Sequence, residues 1–200
     1  MSNNIQNIND ISPVSAPSGD QANNDPVQVE YQQGKKYLQQ GDTGQAAVAL
    51  HNALIGFEEQ NDQNGIANAS NQLGNACVQR REYEKALDHY LRAEEICRQL
   101  GDPLSLMALS KQFVLVYTEL GQYKEAVARC LDLLDRYRAN NNPQGTVDVL
   151  EKMAGIYIQS GDTDKAADVY RTIASIHKNF RHEKIAEGFL QKAEELAKSS

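Results

Sequence analysis

Gly74-Asn75-Ala76-Cys77-Val78-Gln79-Arg80-Arg81-Glu82-Tyr83-Glu84-Lys85-Ala86-Leu87-Asp88-His89-Tyr90-Leu91-Arg92-Ala93 is the clearest copy of a unit that recurs through most of this 200-residue chain. Steps of forty residues bring Ala46, Ala86, Ala126 and Ala166 into one column, and Leu50, Tyr90, Cys130 and Tyr170 into another. Tyr37, Cys77, Tyr117 and Tyr157 form a third. Gly34 and Gly74 align with Val114 and Ala154, and Gly41, Gly121 and Gly161 share a column that Arg81 interrupts. A period in this range marks stacked supersecondary units rather than one closed globule.

The apolar spacing inside each unit is helical. Leu73, Cys77 and Val78 share a face of a first helix, and Ala86, Tyr90, Ala93 and Cys97 form the stripe of a second. Leu87 and Leu91 widen one edge of that stripe, and Glu94 is expected to return the edge to water. Gly41-Asp42-Thr43 and Gly161-Asp162-Thr163 place a helix-ending Gly before a capping residue. Asp25-Pro26, Asp102-Pro103 and Asn142-Pro143 place a cap before Pro at a helix start. The pattern predicts helices at 27–40, 44–60, 63–80, 83–100, 103–120, 123–139, 143–160, 163–178 and 182–198, with no strand-like alternation. Gly34, Gly74 and the alanine column are expected where paired helices cross closely, with the tyrosines filling the layers between units. In the last segment, Ala186, Leu190, Ala193 and Leu196 make one apolar face and charged residues cover the rest, as a terminal capping helix requires.

With Leu73-Gly74, Tyr83, Ala86, Tyr90 and Ala93 in place, the unit resembles a tetratricopeptide repeat. A period of forty is similar to the longer-helix variety of kinesin light chains and spindle-orientation adaptors. Gln33, Val114 and Ile173 depart from the motif in repeats 1, 3 and 4. The resemblance implies an all-α, right-handed α-solenoid of four helix hairpins and a C-terminal capping helix, with first helices lining a concave surface. The expected organisation is a polar, acidic, disordered leader at 1–25 and a repeat domain at 26–200. Its units fall at about 27–62, 63–102, 103–142 and 143–180, with the capping helix at 181–198.

The formal charge is −7, of which −4 lies in residues 1–30. That balance argues against nucleic acid, whose phosphates demand a basic excess. No segment approaches the roughly 20 apolar residues of a membrane span. Cys77, Cys97 and Cys130 are far apart and form no CxxC pair. An odd cysteine count and the lack of a signal-like start suit a reducing, cytoplasmic setting.

In the family that this unit resembles, the inner surface is made by first-helix positions not used for packing. Here the candidates for peptide binding are Lys35, Asn68, Asn71, Asn75, Lys111, Leu115 and Lys152, with Gln72, Gln79, Thr118, Gly155 and Gln159 beside them. Asn68, Asn71 and Asn75 are spaced 3 and 4, so they read as one ridge of amides. An amide both donates and accepts, which suits a peptide backbone. Lys35, Lys111 and Lys152 suit acidic groups, and Leu115 and Ile158 suit apolar ones. Asp148 stands where the carboxylate clamp of chaperone-binding relatives needs a cation.

No phosphate loop, nucleophile elbow or HExxH motif occurs, and His51, His89, His177 and His182 are scattered without a third ligand at helical spacing. The expectation is a non-enzymatic scaffold or adaptor, monomeric and without cofactor or metal, that holds a protein or peptide partner. The alternatives are a secretion-type chaperone, a self-assembling structural repeat, or a peptide-sensing regulator acting through a separate DNA-binding partner.

Overall fold

A computed structural model describes residues 25–198. The expected disordered leader therefore lies outside the described residues, apart from Asp25. Nine helices and no strands occur among the described residues: α1 (Pro26–Gln39), α2 (Thr43–Glu59), α3 (Gln63–Gln79), α4 (Tyr83–Gln99), α5 (Pro103–Glu119), α6 (Tyr123–Ala139), α7 (Pro143–Ser160), α8 (Thr163–Asn179) and α9 (Glu183–Lys198). None is long and apolar enough to cross a membrane.

The turns repeat at half the sequence period. Gly41, Asn61, Arg81, Gly101, Gly121, Asn141, Gly161 and Arg181 all have positive φ, so every twentieth residue is left-handed. The following N–H closes a Schellman bond to the carbonyl five residues back, as in Asp42 to Tyr37 (3.0 Å), Glu82 to Cys77 (2.9 Å) and His182 to His177 (2.9 Å). Arg81 thus keeps the conformation of the glycine column it interrupts, with φ at 59°. Capping is less uniform. Asp25, Asp42, Asp62 and Asn142 accept from the first-turn amides of their helices, and Asp102 does so for Leu104 and Ser105. Asp162 does not cap α8; its carboxylate takes Lys165 Nζ at 2.9 Å instead.

The chain forms two compact units that divide between Gln112 and Phe113, inside α5. In the first, α1 packs on α2, α2 on α3 and α3 on α4, and α1 also meets α3. In the second, α6 packs on α7, α7 on α8 and α8 on α9. Ala46, Ala86, Ala126 and Ala166 are each 0 % exposed, so the alanine column lies wholly in the core.

Volume is traded across the columns. A Cβ on Gly74 would meet the Tyr90 ring at 2.4 Å, and one on Gly34 would meet Leu50 at 2.7 Å. The same columns hold Val114 with the smaller Cys130 in the third repeat. Gly65 faces the Phe57 ring and Gly145 the Tyr137 ring, both at 2.3 Å, whereas that column pairs Ser105 with Cys97. Tyr90 is fully buried, but Tyr37, Tyr117, Tyr157 and Tyr170 are half-buried, so most column tyrosines seal layer edges rather than fill layers.

Two faces differ from the expectation. Glu94 is buried rather than solvated, because its column is otherwise Leu54, Leu134 and Ala174, all core residues. Arg98, one turn on, reaches its carboxylate at 3.4 Å. In α9 the buried stripe is Ala186, Phe189 and Ala193, while Leu190 and Leu196 are only half-buried. The Phe189 ring lies against Tyr170 (5.9 Å) and His177 (5.6 Å), so this position, rather than Leu190, faces α8.

Candidate functional site

The first helices carry the candidate residues, and each unit presents its own face. In the first unit Lys35 lies on α1 with Nζ 5.6 Å from the Tyr31 ring centre, a cation–π contact. Asn68, Asn71 and Asn75 lie on α3, but they do not make a continuous exposed ridge. Asn68 and Asn75 are half-buried, while Asn71 is 5 % exposed and Gln72 4 %. Asn75 Oδ1 accepts from the Tyr90 hydroxyl at 2.7 Å, and its Nδ2 donates to Gln72 Oε1 at 3.1 Å. The amide row is therefore partly internal: it satisfies a buried phenol. Burial pushes the Tyr90 hydroxyl pKa up, so this group stays a neutral donor. Gln79 Nε2 reaches the Leu38 carbonyl at 3.4 Å, joining α3 to α1. Lys111, in the first half of α5, is half-buried.

In the second unit the last turns of α5 and the middle of α7 enclose an open cleft of about 200 Å³. Val114, Leu115, Thr118, Glu119, Lys152, Gly155, Ile156 and Gln159 line it. Leu115 and Lys152 are thus brought together, with Leu115 41 % exposed. Gly155 has open space above it: a Cβ added there would meet no atom within 4 Å. Thr118 Oγ1 donates to the Val114 carbonyl at 2.6 Å, so its hydroxyl proton is spent within its own helix. A second cavity, of about 520 Å³, opens where the α5–α6 turn meets the end of α7. Tyr123, Val127 and Tyr157 line it with Lys124 and Lys165. Lys165 Nζ lies 5.5 Å from the Tyr157 ring centre, and its hydrogen bond to Asp162 raises its pKa. Motif and periodicity do not point to this cavity; its signal in the sequence is the Tyr123/Lys124 and Tyr157/Lys165 pairing across two turns.

Among the described residues no group of three or more His, Cys, Asp or Glu side chains is placed to hold a metal. Cys97 and Cys130 are buried, and desolvation pushes each thiol up to about 11. They pack as small apolar residues rather than nucleophiles.

Models of the tetratricopeptide repeat match residues 31–100 and 149–184. Over these stretches the chain belongs to the tetratricopeptide-repeat family. No curated protein matches it by sequence. Among solved structures it is similar to a putative kinesin light chain with nearly identical TPR-like repeats from Podosopora anserina. That likeness has a TM-score of 0.66 at 15% identity and covers 86% of this chain and 92% of that one. The apo form of RapI aligns with a TM-score of 0.66 at 16% identity over 82% of this chain; the chain spans 60% of RapI. A Rap protein complexed with Competence and Sporulation Factor aligns at 0.61 and 16% identity, over 90% of this chain and 66% of that one. At these identities the likeness is one of fold: tetratricopeptide-type helical hairpins.

Proposed function

We propose that this protein is a non-enzymatic adaptor that holds a segment of a partner protein on the first-helix faces of its repeats, the α5/α7 cleft being the principal contact. The reading includes four hairpins and a terminal helix wound right-handed, as in other tetratricopeptide arrays. The observation that carries it is the pairing of the exposed apolar side chain of Leu115, with the buried Ile156 behind the cleft, and the exposed cation Lys152 around one opening. Such a cleft suits an apolar side chain flanked by a carboxylate. Gly155 leaves the partner's backbone room to approach α7. On the first unit, Lys35, Asn68 and Lys111 remain the candidate secondary contacts, and Asn71 and Asn75 serve chiefly the fold. The complex of a Rap protein with Competence and Sporulation Factor supports the reading as a precedent for this fold.

The test is recovery of partners from the source cells with wild type, Leu115→Asp and Lys152→Glu. Both variants alter exposed positions, so circular dichroism should match wild type. Loss of a shared partner in both supports the cleft. Retention of every partner in both places binding elsewhere.

A further inference from the structure

The α8–α9 turn holds a histidine pair whose geometry is more specific than its sequence spacing suggests. His177 Nδ1 and His182 Nδ1 lie 3.4 Å apart, and the ring centres are 5.7 Å apart. A ring nitrogen stands about 1.1–1.2 Å from the centre of an imidazole. The centres therefore reach 5.7 Å only if both nitrogens lie on the line joining them. The two lone-pair directions meet head-on.

The surroundings hold that arrangement. The His182 N–H donates to the His177 carbonyl at 2.9 Å, fixing the two backbones. The His177 ring stacks on Phe189 at 5.6 Å with planes 6° apart. The Phe180 ring stacks on His182, with ring centres 6.3 Å apart. His182 is exposed, so an ion has a way in.

We propose that His177 and His182 form a two-coordinate site for a soft monovalent cation of the Cu(I) class, bound linearly between the two Nδ1 atoms. A d¹⁰ monovalent ion accepts two collinear donors, and imidazole is a copper ligand. Seating it between the two Nδ1 atoms needs only a small outward shift of the exposed His182 ring. Zinc prefers tetrahedral donors at about 2.0–2.1 Å, so both rings would have to turn, and two further ligands are needed. Charge favours the lower valence: Lys178, Arg181 and Lys184 adjoin the pair in sequence, and positive neighbours repel a monovalent ion half as strongly as a divalent one. The three thiols, which would otherwise outcompete imidazole, are buried. The site is independent of the peptide cleft.

The test is titration of the full chain with Cu(I), kept reduced by ascorbate without oxygen, in competition with bicinchoninate. Histidine Nδ1 resonances are followed in parallel by NMR. One equivalent is expected, with both Nδ1 signals moving. His182→Ala and His177→Phe should each weaken binding by about tenfold or more, and His51→Ala should not. The Phe replacement keeps a ring on Phe189; if it unfolds, the exposed His182→Ala variant decides. Absence of uptake by wild type, uptake unchanged in His182→Ala, or movement of only one ring would overturn the site and leave an ordinary N–H···N contact.

Discussion

The face of α3 in the first unit and the cleft of α5 and α7 in the second occupy the same columns of the repeat, yet their side chains meet different interiors. Column 75 reads Lys35, Asn75, Leu115 and Gly155, and column 90 reads Leu50, Tyr90, Cys130 and Tyr170. Where Tyr90 is sealed inside, its hydroxyl needs an acceptor, and Asn75 provides it at 2.7 Å. Where the column holds Cys130, no hydroxyl has to be satisfied, and position 115 is released to be an exposed leucine. Where Tyr170 is only half-buried, water can serve its hydroxyl and position 155 shrinks to glycine. A polar residue on a binding-type face is therefore not by itself a binding residue. What it faces inside the hairpin decides.

The sharpest way to break this comparison is to exchange the packing pairs. Gly74→Val drives a side chain into the Tyr90 ring and is expected to cost about 3 kcal/mol, read by urea unfolding. Adding Tyr90→Cys recreates the Val114/Cys130 pair and should recover at least about 1 kcal/mol of that. Additive losses would show that the columns are not coupled by volume.

Asn75→Ala leaves the Tyr90 hydroxyl buried without this acceptor, at an expected cost of about 1–3 kcal/mol. The cost should shrink in a Tyr90→Phe background. Leu115→Ala, at the equivalent position of the second unit, should change stability by less than about 0.5 kcal/mol. Equal losses at both positions would erase the distinction between the faces.

Glu94→Leu restores the column of Leu54 and Leu134. It removes a buried carboxylate that pairs with Arg98, a side chain itself 60% exposed. Stability should rise by about 1 kcal/mol, seen as a higher melting temperature. A fall would assign Glu94 a structural role beyond that pair. The smallest effect concerns Arg81, held at φ 59° where Gly121 stands forty residues on. Arg81→Gly should be neutral to stabilising, by up to about 1 kcal/mol. Clear destabilisation would mean that the arginine side chain, not the turn, fixes this junction.

The helices were legible to within a residue at each end, because the apolar stripe recurs in every unit and a cap or turn residue marks most of the boundaries. The twenty-residue rhythm of the turns was only half legible. Arg81, Asn61, Asn141 and Arg181 take the left-handed conformation without the glycine that advertises it. Side-chain destinations were harder to read. Asn71 looks like a surface amide in sequence and lies inside, and Glu94 looks solvated and sits in a leucine column. Both misreadings come from judging a residue by its own polarity; for Glu94 the burial of its column outweighs that polarity and Arg98, one turn on, supplies a partner. The Tyr90–Asn75 bond had a signal: a phenol on an all-apolar stripe with an amide fifteen residues earlier, on the facing helix.

The proposed binding face is that of α5 and α7 in the second unit, and not its second-helix surface. A photo-crosslinking amino acid placed at position 115, and separately at the similarly exposed Leu131 on α6, tests it within one unit of the fold. Irradiation in the source cells should link a discrete partner polypeptide through position 115 and not through 131, with Lys152→Glu abolishing the adduct. An adduct through 131 alone, or one through 115 that Lys152→Glu leaves untouched, would contradict the account.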